Sequence, residues 1–282
     1  YISPGDPALK KLNAQGISVS EETLEAAREE MGLNEPFLVR YAQWLGNALT
    51  GDLGTSYKDG LPVADKLVHA LRYTLILSVG SLAVSLIAAL PLSVISAVRK
   101  DGLLDNVVRF LSFIGNSLPN FLISVLLMYF FCIRTKLLPV IAEENLKGLI
   151  MPCLALAIPM CSRFIRQFRA EILEQLGRDY VLGARARGVN SLTILFKNVL
   201  HNAMIPILTI IALSVGTLLG GSVVVETIFR WPGLGKLVMD SISVRDYPVI
   251  QGFVIFTSCV YVLINLAADI CYHRLDPRVE EM

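Results

Sequence analysis

The sequence predicts an all-α protein that crosses a membrane several times. Of its 282 residues, 54% are hydrophobic and only 17% are charged, whereas a soluble domain usually carries about 25% charged residues. Several apolar runs approach the roughly 20 residues that a helix needs to cross a bilayer. Five spans are visible, at about 73–98, 107–133, from 149 onward, 199–225 and 249–272.

Residues 1–71 differ in composition from the rest of the chain, because Asp and Glu outnumber Lys and Arg there. Anionic composition is typical of segments outside the cytoplasm, where the excess of Lys and Arg is absent. We therefore expect an extracytoplasmic helical segment over 1–71 and a transmembrane domain over 72–282.

Two helices are predicted within this acidic segment. Ser18 and Glu21 have the spacing of a capping box, which predicts a helix that stops at Gly32. The second helix should run from Phe37 to Leu49 and carry an apolar stripe at helical spacing. The stripe would pack on the outer membrane surface or on the spans, or would contact a protein that delivers a solute.

The distribution of basic residues sets the orientation. Region 163–201 is rich in Arg, and Lys and Arg concentrate on the cytoplasmic side of membrane proteins. We place it in the cytoplasm together with Arg99 and Lys100, which also puts the C-terminal tail there. A polar segment the length of 1–71 needs a signal to cross a membrane, so a sixth transmembrane helix is expected before Tyr1.

The stretch from Asp179 to Pro206 is the most informative part of the chain. It reads as a short basic helix, a Gly stop at Gly188 and a second helix, placed between apolar spans. The short helix has an apolar edge and an Arg-rich edge. Such a helix could dock on a soluble partner or bind anionic lipid at the membrane surface, and the sequence alone favours neither.

Polar residues inside the spans are few and mostly uncharged. The segment 116–120, Asn-Ser-Leu-Pro-Asn, interrupts the second span, and indicates either a break that lines a cavity or a tolerated kink. The acids Glu226 and Asp269 lie near span ends, where an interfacial or structural role is expected. A mildly polar pathway suits a solute carried by a machine that is powered elsewhere.

Motifs for catalysis and ligand binding are missing from the sequence. It has no Gly-x-x-x-x-Gly-Lys-Ser/Thr loop, no His-Glu-x-x-His and no Cys-x-x-Cys pair, so we assign no catalytic residue, no metal ligand and no cofactor to this chain. The net charge of +1 gives no reason to expect a nucleic-acid partner. A membrane-embedded enzyme or a membrane scaffold without transport remain alternatives of other classes.

A series of short motifs along the whole chain resembles one family. The chain resembles the membrane permease subunits of ABC importers, in the branch that serves peptides and nickel. The motifs that carry this resemblance are Pro4-Gly5-Asp6-Pro7, Gly51-Asp52-Leu53-Gly54-Thr55-Ser56, Trp231-Pro232-Gly233-Leu234-Gly235, Arg245-Asp246-Tyr247-Pro248 and Asp276-Pro277-Arg278.

The resemblance gives the basic stretch a role. It is similar to the family's "EAA" loop, although the motif's Glu position falls on Leu182 and its first Ala on Gly183. This likeness implies a type I ABC importer permease fold with a cytoplasmic coupling loop at about 170–200. The residues expected to couple to the ATPase are Tyr180, Ala184, Arg185, Arg187 and Gly188.

The resemblance also implies partners and a solute. They would be a second homologous permease subunit, two ABC ATPase subunits that bind ATP and Mg, an extracytoplasmic solute-binding protein and the lipid of the bacterial inner membrane. The solute would pass Asn116, Ser117, Asn120 and Thr217. The short connection 134–147 resembles nickel-type members, so nickel or a nickel chelate is favoured, with di- or oligopeptides as the alternative.

Overall fold

The computed structural model describes residues 6–14, 19–142 and 144–275, and this part of the chain is helical. Pro4, Gly5, Ser18 and the motif Asp276-Pro277-Arg278 lie outside the described residues. The helices are α1 (Pro7–Ala14), α2 (Glu21–Glu30), α3 (Phe37–Leu49), α4 (Val63–Val98), α5 (Leu103–Ser117), α6 (Asn120–Leu127), α7 (Leu146–Leu176), α8 (Asp179–Ala186), α9 (Ser191–Thr193), α10 (Leu200–Phe229), α11 (Leu234–Val244) and α12 (Tyr247–Leu275).

Two segments of π-helix extend this series. Met128–Arg134 continues α6, and Ile194–Val199 joins α9 to α10. The chain divides into two compact units, one formed by Tyr1–Tyr73 with Pro232–Cys259 and the other by Thr74–Trp231 with Val260–Met282. Each unit is described by itself below.

The first unit contains α1 to α3, the first turns of α4, α11 and the first part of α12. Ala8, Leu12 and Ala27 join α1 to α2 in one small core. A second core brings Val63 and Leu67 of α4 together with Val249 of α12. Gly252 makes this contact possible, because a Cβ atom there would lie 2.6 Å from a methyl group of Val63.

Two local predictions for this unit have different outcomes. Helix α3 has the predicted bounds, with Pro36 as its N-cap and Thr50 after Leu49. The predicted cap of α2 is wrong, because the N-cap is Ser20, which exchanges bonds with Thr23 in a capping box. Ser20 lies directly before the first helical residue, so it reaches the free N–H of Thr23.

The second unit is built around α7. This helix packs against α5, α6 and α10. Its buried side chains Phe164, Phe168 and Ile172 form one core with residues of α4, α8 and α10. The rings of Phe164 and Phe168 are stacked with centroids 5.1 Å apart. Helix α7 therefore connects the apolar interior to the loop that follows it.

Within the described residues, four helices are long and apolar enough to cross a membrane. They are Val63–Val98, Leu146–Leu176, Ser191–Gly216 and Tyr247–Leu266. The second predicted span, 107–133, corresponds to the pair formed by α5 and by α6 with its π-helical extension, which bends by 103°. The first of these helices starts at Val63 rather than near residue 73, because about three turns that carry the charged residues Asp65, Lys66 and Arg72 precede its continuous apolar stretch.

The bend between α5 and α6 has a local cause. Leu118 has an extended backbone, with φ −85° and ψ 129°, and it precedes Pro119, whose ring disfavours a helical conformation at the residue before it. Pro119 then serves as the N-cap of α6. The break predicted from Asn116 to Asn120 is therefore present, and it is a sharp corner rather than a mild kink.

Candidate functional site

Helix α8 begins and ends where its local sequence dictates. Asp179 occupies the first turn, where a negative charge interacts favourably with the helix dipole. At the other end Gly188 has φ +74°, a left-handed conformation that favours Gly. Gly188 N donates to Arg185 O at 2.9 Å, and Val189 N donates to Ala184 O at 3.2 Å. This Schellman motif fixes the direction of the chain that leaves α8.

One face of α8 is buried against the second unit's own core. Val181 and Ala184 are buried and belong to the same cluster as Phe168 and Ile172 of α7. Tyr180 is half-buried, and its hydroxyl donates to Gln175 Oε1 at 3.1 Å. Two of the five predicted coupling residues, Tyr180 and Ala184, therefore contact their own chain.

The opposite face of α8 is free to meet a partner. Arg185 and Arg187 are exposed, and Leu182 is 59% exposed. Leu182 was not among the predicted coupling residues, although it occupies the motif's Glu position. An exposed Leu beside two Arg side chains combines an apolar anchor with positive charge, which suits a helix that inserts into a groove.

The predicted path residues do not form one group. Asn120 lines a small cavity of about 160 Å³ together with Arg163, Ser214 and apolar side chains. Asn116 is half-buried and Ser117 is exposed, with its hydroxyl donating to Phe113 O at 2.8 Å. Thr217 belongs to α10, but its side chain lies outside the described part of the structure. Among the three with described side chains, Asn120 lines this cavity together with the charged side chain of Arg163.

A buried ion pair that the sequence did not reveal joins three helices. Asp105, in the first turn of α5, is 0% exposed and accepts from Arg169 of α7, at 2.7 Å from Nε and 2.6 Å from Nη2. Its carboxylate also accepts from Ser96 Oγ of α4 and from Asp101 N at 2.9 Å. Four donors thus satisfy one carboxylate in the interior.

Glu226 is a second buried acid in this unit. It is 0% exposed, and Thr74 Oγ1 donates to its Oε1 at 2.9 Å. Its backbone carbonyl accepts from Trp231 N at 2.9 Å. These contacts agree with a structural role for Glu226, whereas the side chain of Asp269 lies outside the described residues.

In the first unit, two of the sequence motifs meet at a buried carboxylate. Asp246 is 2% exposed and accepts from Ser56 Oγ at 2.5 Å and from Tyr57 N at 3.0 Å. Burial raises the pKa of the Tyr57 phenol, and the negative charge of Asp246 nearby raises it further. The Gly51–Ser56 turn and the Arg245–Pro248 segment are therefore parts of one hydrogen-bonded structure.

Potential metal ligands are dispersed over the described residues. No group of three or more His, Cys, Asp or Glu side chains comes close enough there to hold a metal ion. The described cysteines Cys132, Cys153, Cys161 and Cys259 are free thiols.

Comparisons with known proteins identify the family. Residues 89–281 match the family of binding-protein-dependent transport system inner membrane components. This chain belongs to that family. It is 38% identical, over 99% of its length and 90% of the relative, to the probable peptide ABC transporter permease protein y4tP of Sinorhizobium fredii. It is also 38% identical to the oligopeptide transport system permease protein AppB of Bacillus subtilis, over 99% of this chain and 90% of AppB.

Relatives with other solutes and a solved structure complete the comparison. The nickel import system permease protein NikB of Staphylococcus aureus is 39% identical over 98% of this chain and 83% of its own length. One chain of the inward-facing MetNI methionine ABC transporter superposes on this chain with a TM-score of 0.63 and 18% sequence identity. The superposition covers 75% of this chain and 96% of the MetNI chain. The predicted type I ABC importer permease fold is thereby confirmed.

Family and fold together define the class of the protein. It is a permease subunit of an ABC importer and a multi-pass protein of the inner membrane. Such permeases are non-catalytic membrane components, and the family implies ATPase and binding-protein partners. The relatives include peptide, glutathione and nickel permeases, so membership does not select among these solutes.

Proposed function

We propose that this chain, with a second homologous permease subunit, forms the translocation path of an ATP-driven importer for nickel in the form of a chelate. Two ATPase subunits would bind ATP and Mg, and an extracytoplasmic binding protein would deliver the solute. The observation that carries the proposal is family membership combined with the exposed face of α8, where Leu182 and two Arg side chains can meet an ATPase. The C-terminus and α8 would then lie in the cytoplasm.

The charge at the Asn120 cavity supports a chelate over a bare cation. Arg163 lines this cavity, and its positive charge repels a free divalent cation that approaches without ligands. A chelate that carries carboxylates is attracted instead. The short connection between the π-helical segment ending at Arg134 and α7 also favours nickel-type members.

A di- or oligopeptide is the second candidate solute. A peptide also carries a carboxylate that Arg163 could attract, and the two peptide-type relatives match this chain over 99% of its length. The deciding experiment uses the whole importer in liposomes and compares uptake of a nickel–histidine complex with uptake of a tripeptide mixture. Uptake of the tripeptides with no nickel uptake would refute the nickel proposal and leave the permease function intact.

The coupling role of α8 is tested at Gly188. A Cβ atom there meets nothing within 4 Å in this chain, and the backbone has φ +74°, a region that Asn tolerates better than other non-Gly residues. Gly188→Trp should keep the protein in the membrane but abolish both solute uptake and the solute-stimulated part of the ATPase activity. Gly188→Asn is the matched control for the backbone, since it adds a smaller side chain without much strain.

The outcomes at Gly188 separate coupling from scaffolding. Solute-stimulated ATPase activity that stays unchanged in Gly188→Trp would contradict a coupling role for this loop. A membrane scaffold without transport predicts that no ATPase co-purifies with the full protein. If Gly188→Asn and Gly188→Ala lose as much activity as Gly188→Trp, the effect comes from the backbone of the Schellman motif and not from the bulk of the side chain.

A further inference from the structure

A groove between α5 and α7 has no place in the proposed transport path or in the coupling loop. It has a volume of about 500 Å³ and is lined by Asn106, Arg109, Phe110, Phe113, Ile165, Arg166 and Arg169. The α5 residues follow the spacing i, i+3, i+4, i+7, which places them on one face of the helix. Three arginines and two phenylalanines therefore share one surface channel.

The groove carries positive charge that the described part of the protein does not neutralise. Arg169 is engaged by Asp105, which forms two hydrogen bonds with it. Arg109 and Arg166 are exposed, and within the described residues neither forms an ion pair or a hydrogen bond. Two uncompensated arginines facing one groove attract an anion, and the Arg guanidinium is well suited to bind phosphate.

The surroundings of the two arginines are apolar. Phe110 is 64% exposed and Phe113 is 63% exposed, and both line the groove. On the same helix Leu103 and Val107 are also exposed, and α5 belongs to the bent helix pair that is long and apolar enough to cross a membrane. A ligand of this groove must therefore combine a negative head with a hydrocarbon body.

We propose that this groove binds an anionic phospholipid. Its phosphate accepts hydrogen bonds from Arg109 and Arg166, and an acyl chain lies along Phe110 and Phe113. Asp105 neutralises the charge of Arg169, so the net positive charge of the groove comes from Arg109 and Arg166. Clusters of basic residues beside spans bind anionic headgroups in this way.

The first test uses the unmodified importer in detergent. Phosphatidylglycerol or cardiolipin should raise the thermal unfolding midpoint and stay bound in native mass spectrometry, whereas phosphatidylcholine should do neither. Equal effects of phosphatidylcholine and phosphatidylglycerol would overturn the proposal. So would displacement of bound phosphatidylglycerol by millimolar inorganic phosphate, because the groove would then be a site for a free anion.

The second test removes both unpaired charges together. Arg109→Gln with Arg166→Gln should weaken phosphatidylglycerol binding roughly thirty-fold, since each basic residue near the surface contributes about a factor of five. Lys100→Gln removes an exposed cation at the end of α4 and should leave binding unchanged. Equal loss in Lys100→Gln would overturn a specific site.

A fourth outcome would also overturn the proposal. If the double variant keeps its lipid but no longer assembles with the second permease subunit, the groove is a protein interface. Arg166→Gln alone serves as a milder variant, for which we expect about five-fold weaker lipid binding with the complex intact. Uptake and solute-stimulated ATPase activity in that variant show independently whether the proposed transport function is preserved.

Discussion

Replacing Asp105 tests how strongly the buried ion pair stabilises the second unit. Asp105→Asn keeps the shape of the side chain but removes its charge, so the guanidinium of Arg169, which is 15% exposed, loses its counterion in the interior. Breaking a buried pair from one side costs about 3–5 kcal/mol, because an uncompensated charge remains. The exposed fraction of Arg169 lets water reach it, so we expect the lower end, about 3 kcal/mol.

The measurement is a thermal unfolding scan of the purified chain in detergent, at one scan rate for all variants. A cost of about 3 kcal/mol corresponds to a fall of roughly 6–12 °C in the unfolding midpoint. Glu174→Gln is the control, because it likewise removes the acid of an Arg–carboxylate pair, but both side chains of its pair with Arg178 are more than half exposed. An exposed pair contributes about 0–1 kcal/mol, so this variant should shift the midpoint by no more than about 2–4 °C.

A double variant tests the cause rather than the size of the effect. Asp105→Leu combined with Arg169→Met removes both charges and leaves apolar side chains of similar length. It should be more stable than Asp105→Asn, because a buried pair can often be replaced by apolar residues at little cost. A midpoint for Asp105→Asn equal to that of the control variant, or a double variant less stable than the single one, would refute the reasoning.

Three further predictions concern other contacts. Asp246→Asn leaves one acceptor oxygen for Ser56 and Tyr57 and should cost about 1–3 kcal/mol, seen as faster hydrogen exchange at the Tyr57 amide. Gly115→Ala places a Cβ atom 2.2 Å from Ser162 Oγ, which should cost about 1–3 kcal/mol in a melting scan and be partly relieved by Ser162→Gly. Burial tends to raise the pKa of Asp6, but the hydrogen bonds from Arg28 and Ala8 outweigh it and hold that pKa below its usual value. The ionised Asp6 therefore stabilises α1 at pH values above the ordinary Asp pKa of about 3.9, and this stabilisation is lost as the pH falls through the lowered pKa of the folded protein. Asp6→Asn should speed hydrogen exchange in α1 near neutral pH and should have no such effect in strong acid.

Helix ends and turns that depend on neighbouring residues in the chain could be predicted from the sequence. The bounds of α3, the break before Pro119 and the turn at Gly188 each depend on the backbone preferences of one or two residues. The capping box of α2 shows the limit of such reasoning. Ser18 and Ser20 both precede an acidic helical stretch, and a shift of two residues decides which one faces the free N–H groups.

Features that depend on distant residues could not be predicted in the same way. Asp105 and Arg169 are 64 positions apart, and nothing in their local sequences indicates that they meet. The burial of Ala184 could not be predicted from the local sequence either, because α8 is short and its apolar and charged residues are mixed around the helix. Packing against α7, rather than a periodic pattern, selects the face of α8 that is buried.

The packing of α8 explains how a short surface helix could move a span. Val181 is fully buried in the cluster that contains Ile172 of α7, and burying one such side chain contributes about 1.5–3 kcal/mol. Pulling α8 away from α7 would expose both residues at a cost of about 3–6 kcal/mol, so α8 and the end of α7 should move together. One turn earlier, Arg169 fixes α7 to the first turn of α5 through Asp105. A force applied to Leu182 or Arg185 would therefore reach α5 through two contacts that are both costly to break, without any change inside α8 itself.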